Sequence, residues 1–558
     1  MSILILYGSE TGTAQDTAEG LCRDAQLRKV AARVVSLDEY DIDNLPSERV
    51  VFFVVSTTGQ GEMPPNMRSS WRRLLRKFLP ADWLTEVKMA VLGLGDSSYQ
   101  KYNFAGKKIY RRLLQLGAQM MAPLGLADDQ HEIGIDGALI PWKQTVWQEL
   151  YKSCSFKEML EEADTNIVIP PKFKIVKAEA PLPESCSKDG KEQDYYELDV
   201  LSNVRATSED HFQDTRLLRF LVHDHLADRF KYEPGDVLMV RPYNNDETLC
   251  VAIESLGYSD QLLDEPIYLC KNSEFAVLPP PWLLGADNPS NIISQNEMEK
   301  MRLSELGSPH GLDDLLNYCT RVRRTVAETL RDFPETAKSV APEHLFDFIS
   351  PIRPRAFSIA SSPSRNPNVI ELLVAKVDYK SRMSERRRGL CSTFLANLKA
   401  HDKVFGRIRG GTFKFPLHLT PVICVGPGTG VAPFRSFLQF RDELGERQNA
   451  LLFFGCRGEQ KDYYFKEEWL SLRNAEVITA FSRDADSKVY VQHKILELAE
   501  KVWQIIGKAN GMVFIAGSSG DMPKAVVNAL NEVAASHGVP DWVAKAEATG
   551  KIQYETWS

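Results

Sequence analysis

Three unbroken apolar runs near the start of the chain, residues 3–6, 50–55 and 89–92, each end in a Gly/Ser/Thr-rich loop that leads into a helical pattern. Strands that read as continuous hydrophobic runs are covered on both faces, so this spacing predicts a doubly wound parallel sheet over residues 1–150. Ligands of such sheets bind at the carboxyl ends of the strands, where all three loops fall.

The first loop is Ser9-Glu10-Thr11-Gly12-Thr13-Ala14. Hydroxyl residues and glycine at a strand-to-helix turn let backbone N–H groups surround a phosphate, and no Gly-Lys-Ser/Thr follows to make it a triphosphate loop. The second is Ser56-Thr57-Thr58-Gly59, and the third Leu94-Gly95-Asp96-Ser97-Ser98-Tyr99-Gln100-Lys101-Tyr102-Asn103. Tyr99 suits stacking on a flat ring. Any one loop alone reads equally well as a capped helix start. Three in register point to one phosphate-bearing aromatic cofactor.

At 558 residues the chain is too long for one core, and three or four domains are expected. The net charge of -8 argues against non-specific nucleic-acid binding. Nine scattered cysteines with no C-x-x-C spacing argue against a zinc site or disulfide framework and fit a reducing cytosol. No signal peptide or membrane anchor is read, because no apolar span approaches the ~20 residues a membrane needs.

Residues 151–170 are mixed and polar, closed by Pro170-Pro171, and read as a hinge linker. Residues 171–420 read as a β-barrel with a helical, Pro-interrupted insert at about 243–345. The barrel resumes at Arg355-Ala356-Phe357-Ser358, which offers a cation for a pyrophosphate, a ring face and a hydroxyl. Gly389-Leu390-Cys391-Ser392 follows as a helix start able to accept the same diphosphate. A plain strand serine and a surface ion pair are the blander readings of Ser358 and Arg355.

In residues 421–558 an apolar strand leads into Gly428-Thr429-Gly430, and the next strand into Gly455-Cys456-Arg457. Glycines there allow close approach of a pyrophosphate. Ser482-Arg483 and Lys488-Val489-Tyr490-Val491-Gln492 bring cations and a tyrosine suited to a ribose 2′-phosphate, favouring NADPH over NADH. A basic surface strand is the alternative.

Taken in this order, the motifs resemble the diflavin reductases, a family related to cytochrome P450 reductase. The resemblance implies a flavodoxin-like FMN domain, a ferredoxin–NADP reductase-like FAD barrel with its insert, and a Rossmann-like NADP domain. It implies FMN, FAD and NADPH as cofactors and no metal. It assigns Asp129, in Gly-Leu-Ala-Asp-Asp-Gln-His-Glu, to FMN along with the three loops. To FAD it assigns Arg323, Leu373, Val374, Ala375 and Tyr379, besides the Arg355 and Gly389 motifs. Ser358, Glu555 and Trp557 fall at its hydride-transfer site, with Trp557 as the ring that covers FAD and moves aside.

This chain departs from many relatives at Thr58 (for an aromatic), Ala516 (for cysteine), Glu555 (for aspartate) and Ala525 (for an NADPH-contacting aspartate). Thr58, Ala516, the Gly-Leu-Ala-Asp-Asp-Gln-His-Glu segment and the terminal Glu-Thr-Trp together look most like the branch serving cytosolic iron–sulfur protein assembly. That implies a cytoplasmic enzyme whose acceptor is the iron–sulfur protein anamorsin, with no nucleic acid or membrane partner. A general quinone or haem-protein reductase and a non-catalytic scaffold are the rival readings.

Overall fold

The three apolar runs form β1 (Ile3–Gly8), β3 (Val50–Ser56) and β4 (Lys88–Gly95), paired in parallel at the centre of a sheet. With β2 (Ala32–Ser36), β5 (Gln119–Met120) and β6 (Gly125–Asp128) the order is β2-β1-β3-β4-β5, and β6 pairs with the end of β4. Alternate residues serve opposite faces, as a pleat requires. Leu4, Leu6, Val51, Phe53 and Val91 pack toward α2 (Arg68–Leu74) and α3 (Phe104–Gln115). Ile3, Ile5, Phe52 and Val54 pack toward α1 (Thr13–Leu27) and the tryptophans Trp142 and Trp147 of α4 (Asp136–Ser153). A Cβ on Gly106 of α3 would lie 2.8 Å from the Cα of Gly93, so only glycine lets this helix sit directly on β4.

This is a computed structural model, and it describes residues 2–557 except 60, 100, 154–155, 157–158, 165–166, 168, 172–173, 178–194, 259–266, 272–273, 277–295, 309, 350–351, 417–419 and 446–448. Two compact units emerge: Met1–Asp189 with Asp246–Arg353, and Gly190–Asn245 with Pro354–Ser558. In the first, a helical segment accompanies the parallel sheet. Ala252 and Leu256 of α5 (Asp246–Leu256) share a core with Ala327, Leu330 and Ala337. The helix Val326–Asp332 begins at a capping box in which Thr325 and Glu328 satisfy each other's backbone N–H. Strands β7 (Lys174–Lys177), β11 (Ile267–Lys271) and β12 (Glu274–Ala276) add a small antiparallel sheet.

The second unit opens with an antiparallel sheet ordered β13-β10-β17-β8-β9-β14. Its members are β8 (Tyr196–Arg205), β9 (Thr215–Leu221), β10 (Val237–Arg241), β13 (Arg355–Ser358), β14 (Val369–Ala375) and β17 (Lys403–Arg409). A bridge between Ile359 and Leu372 joins the two edges, rolling the sheet into a barrel. The short hairpin β15 (Asp378–Lys380) and β16 (Arg386–Arg388) projects after β14.

The chain closes with a parallel sheet, β20-β19-β18-β21-β22. These strands are β18 (Val422–Val425), β19 (Ala450–Cys456), β20 (Ala475–Phe481), β21 (Met512–Ser518) and β22 (Ile552–Trp557). The segment Lys488-Val489-Tyr490 is not a strand; it runs into the helix Val491–Glu497. Among the described residues no helix is long and apolar enough to cross a membrane, and no group of His, Cys, Asp or Glu could hold a metal ion.

Candidate functional site

In the first unit the predicted loops meet at the carboxyl ends of β1, β3, β4 and β6, beside the point where the strand order reverses. Ser9 is buried; its N–H donates to Asn66 Oδ1 (2.8 Å) and its hydroxyl accepts from the Gly12 N–H (2.8 Å). Gly12 has φ +96°, a left-handed conformation that favours glycine, and Thr11 and Thr13 present exposed hydroxyls on either side. The second loop is tied to its neighbours: Ser56 Oγ donates to Gly8 O (3.2 Å) and Thr57 N to Leu94 O (3.0 Å). Thr58 is buried and bridges to Glu62, while Gly59 is exposed at φ +49°.

The third loop is organised by carboxylates. Ser98 N donates to Asp96 Oδ1 (2.8 Å) and Ser97 N to Asp128 Oδ1 (2.8 Å). The Asp129 N–H donates to Gly95 O (2.9 Å), so this acidic pair is tied to the loop. Asn103, fully buried at φ +55°, donates to Ala127 O (2.9 Å), and Tyr102 OH to Leu126 O (2.8 Å). Tyr99 is half-buried, Lys101 is exposed, and Gln100 lies outside the described residues. Desolvation, then Asp96 and Asp128, raises the Asp129 pKa, and the charge of Arg323 opposes the rise. Arg323, which the resemblance assigns to FAD, lies in the first unit, where its charge acts on Asp129.

One residue of this site escaped the motif reading. Arg353 donates to the Thr11 carbonyl and pairs with Asp16 in the first turn of α1. A Cβ on Gly12 would fall 1.2 Å from its guanidinium, so glycine is needed there for space as well as for φ.

In the second unit β13 is the central strand of the site. Ser358 pairs with Val237 of β10, and Val237 with Arg409 of β17, so three strands share one row. Across from this row stands Glu555 of β22, and the Ser358 hydroxyl donates to Glu555 Oε1. Burial lifts the Glu555 pKa to about 7, with the Ser358 hydrogen bond and the Arg409 charge opposing. Its second oxygen, Oε2, is buried with no hydrogen-bond partner.

Arg355 and Ala356 are exposed, and Phe357 is half-buried against the barrel core. Arg355 lies close enough to Cys391 to oppose the rise to about 12 that burial imposes on that thiol. This brings the Arg355 strand and the Gly389 helix start together. Gly389 caps the helix Leu390–Asn397, its N–H donating to Val377 O (2.9 Å), and Ser392 Oγ accepts from Val377 N (3.1 Å). Leu373 and Val374 are buried, Ala375 is half-buried at the end of β14, and Tyr379 is exposed on the hairpin.

The nucleotide loop reaches the same place from the other sheet. A Cβ on Gly430 would lie 2.3 Å from the Ala516 carbonyl, and Ala516 is the β21 residue paired with Glu555. Gly430, Ala516, Glu555 and Ser358 therefore form a continuous path from phosphate loop to barrel. Trp557 ends β22 two residues on and is 39% exposed. Gly428, at φ +59°, has no atom within 4 Å of where a Cβ would stand. Thr429 is half-buried beside it.

Arg457, Ser482 and Arg483 are brought side by side at strand ends, because Ser482 N donates to Cys456 O (3.0 Å) and Arg483 N to Arg457 O (2.8 Å). Lys488 and Tyr490 are exposed, Val489 and Gln492 are half-buried, and Val491 packs against Gly455 of β19. Arg457, Ser482 and Arg483 thus sit together at the carboxyl ends of β19 and β20.

The residues present fit the groups the motifs imply: a left-handed glycine between hydroxyls for one phosphate, an arginine strand facing a capped helix start, and an open glycine cradle beside paired arginines. Three family models match the chain in the same order: a flavodoxin over residues 5–142, an FAD binding domain over 292–394 and an oxidoreductase NAD-binding domain over 424–528. The chain is similar along its whole length to curated proteins named NADPH-dependent diflavin oxidoreductase 1. It is 40% identical to that of Xenopus laevis, 35% to that of Schizosaccharomyces pombe and 34% to that of Arabidopsis thaliana, with 100% of this chain and 99% of each relative covered. With sheets, loops and full-length likeness in agreement, the chain belongs to the NADPH-dependent diflavin oxidoreductases.

Proposed function

We propose that this reductase delivers electrons taken from NADPH, by way of FAD and then FMN, to an iron–sulfur protein of the anamorsin type in cytosolic iron–sulfur assembly. The observation that carries the electron-entry half is the Ser358–Glu555 hydrogen bond, which joins the barrel strand to the last strand of the nucleotide sheet. The acceptor half and the cytoplasmic setting are supported by the residues that resemble that branch, Thr58, Ala516, the Gly-Leu-Ala-Asp-Asp-Gln-His-Glu segment and the terminal Glu-Thr-Trp.

FMN would be held by Ser9 through Ala14, Ser56 through Gly59, and Leu94 through Asn103 with Asp129. FAD would be held by the Arg355 strand, the Gly389 helix start, Leu373 to Ala375 and Tyr379. Gly428 to Gly430, Arg457, Ser482-Arg483 and the Lys488 to Gln492 segment would hold NADPH. Bound, these cofactors supply acceptance of a hydride and its release as single electrons. The protein's own share is positional. Ser358 keeps its proton aimed at Glu555, Arg355 supplies fixed positive charge, and Trp557 stands partly exposed at the end of β22.

The test is anaerobic reduction of oxidised anamorsin, cytochrome c and a simple quinone at equal concentrations under NADPH. The expected result is reduction of the iron–sulfur protein at least about tenfold faster than the other two, a preference of roughly 1.4 kcal/mol. Equal or slower reduction of anamorsin would favour a general reductase.

A further inference from the structure

Phe212 is 68% exposed, an uncommon setting for a phenylalanine, yet it is not without a neighbour. The Arg457 guanidinium lies over its ring at 4.0 Å from the centroid. The two residues come from different sheets: Phe212 from the loop between β8 and β9 of the barrel, Arg457 from the end of β19. We propose that Phe212 is a positioning residue of the NADPH site, holding the Arg457 guanidinium flat so that its other face and its edge meet the nucleotide. This rests on the reading of Arg457 as a nucleotide ligand.

The surrounding bonds show a fixed loop. Ser208 N donates to Lys461 O (2.9 Å), and Lys461 forms an ion pair with Asp210. The His211 ring is tilted against Phe212 at 4.8 Å, and its Nε2 lies 3.9 Å from Asp462. Asp462 in turn accepts from Arg457 N (2.9 and 3.0 Å) and Gly458 N (2.9 Å). Both loops are thus held before any ligand arrives, and the one long side chain among them that needs orienting is Arg457, which is exposed. An arginine loses substantial rotamer freedom when a ligand immobilises it, and one already stacked on an aromatic face loses less. The pairing would thereby favour tight nucleotide binding without touching the hydride step.

The experiment uses the full-length flavoprotein with 2′,5′-ADP as probe, read by calorimetry, alongside kcat and KM for NADPH. Phe212→Leu, which keeps bulk and loses the π face, is expected to weaken 2′,5′-ADP binding about two- to fivefold, the range of an exposed cation–π contact. KM should rise by the same factor with kcat and FAD content unchanged. Phe212→Tyr is expected to bind as the native chain does. A third variant, Arg457→Ala, separates the two claims. If it weakens 2′,5′-ADP while Phe212→Leu does not, the positioning role is overturned. If Arg457→Ala itself binds normally, the nucleotide reading of that arginine is what has failed.

Discussion

Ser358→Ala is expected to slow flavin reduction by NADPH about a hundredfold at neutral pH, with both flavins retained. The hydroxyl sits in a strand row with Val237 and Arg409, and its proton is aimed at Glu555 Oε1. Loss of one well-placed donor, or of alignment by an ångström, typically costs a factor of this order. The pH profile identifies the pair. Glu555 carries a pKa lifted to about 7, so it is ionised above that value and orients Ser358 as a donor, and it is protonated below and releases it. The reduction rate should therefore fall as pH drops through 7, and Glu555→Gln should abolish that break.

Stability moves in the opposite sense. A carboxylate whose folded pKa is raised contributes fully below its unfolded value of 4.5 and loses that contribution as pH rises through 7. The difference amounts to about 3 kcal/mol above neutrality. Glu555→Gln should accordingly be more thermostable than the native chain at pH 8. Rates with no break near 7 in the native protein would contradict this assignment.

Arg435→Leu is expected to destabilise the second unit by about 3 kcal/mol, read as a fall in Tm of roughly 6–12 °C. This guanidinium, buried in the helix Ala432–Glu443, makes an ion pair with Glu371 of β14 (2.5 Å) and another with Glu468 (2.8 Å), and donates to Ala360 O (2.9 Å). Next to it Ser436 Oγ donates to Ser361 O (2.6 Å), and the Ser361 hydroxyl meets buried Tyr232 (2.8 Å). Removing the cation strands Glu371, whose side chain is 10% exposed and retains Arg219 at 3.0 Å. Since that partner remains, the loss should sit at the lower end for a broken buried pair. Arg435→Lys should lose less, and an unchanged Tm in Arg435→Leu would show that the cluster contributes nothing net.

What the sequence made legible was local. The apolar runs at residues 3–6, 50–55 and 89–92 are strands because four to six successive buried positions leave no polar face, and their loops could be placed without knowing any partner. Gly389 reads as a helix start and is one. The Arg355 strand and the terminal Trp557 were legible through family resemblance. What stayed hidden depends on residues far apart in the chain. Arg353 and Asp16 are 337 positions apart, Ser358 and Glu555 197, and neither pairing has a local signal. Phe212 and Arg457 are likewise far apart in the chain, and only the fold brings the guanidinium over the ring. Lys488-Val489-Tyr490 reads as a basic strand, yet it leads into the helix Val491–Glu497, whose first residue, Val491, packs against Gly455.

The most direct test of the two-flavin reading is flavin content of the purified full-length chain combined with anaerobic NADPH titration. One FAD and one FMN per chain, bleached by NADPH at least about tenfold more effectively than by NADH, is the expected result if the Arg457, Ser482 and Arg483 cluster receives the 2′-phosphate. A chain that holds no flavin, or whose flavin NADPH does not bleach, would contradict it.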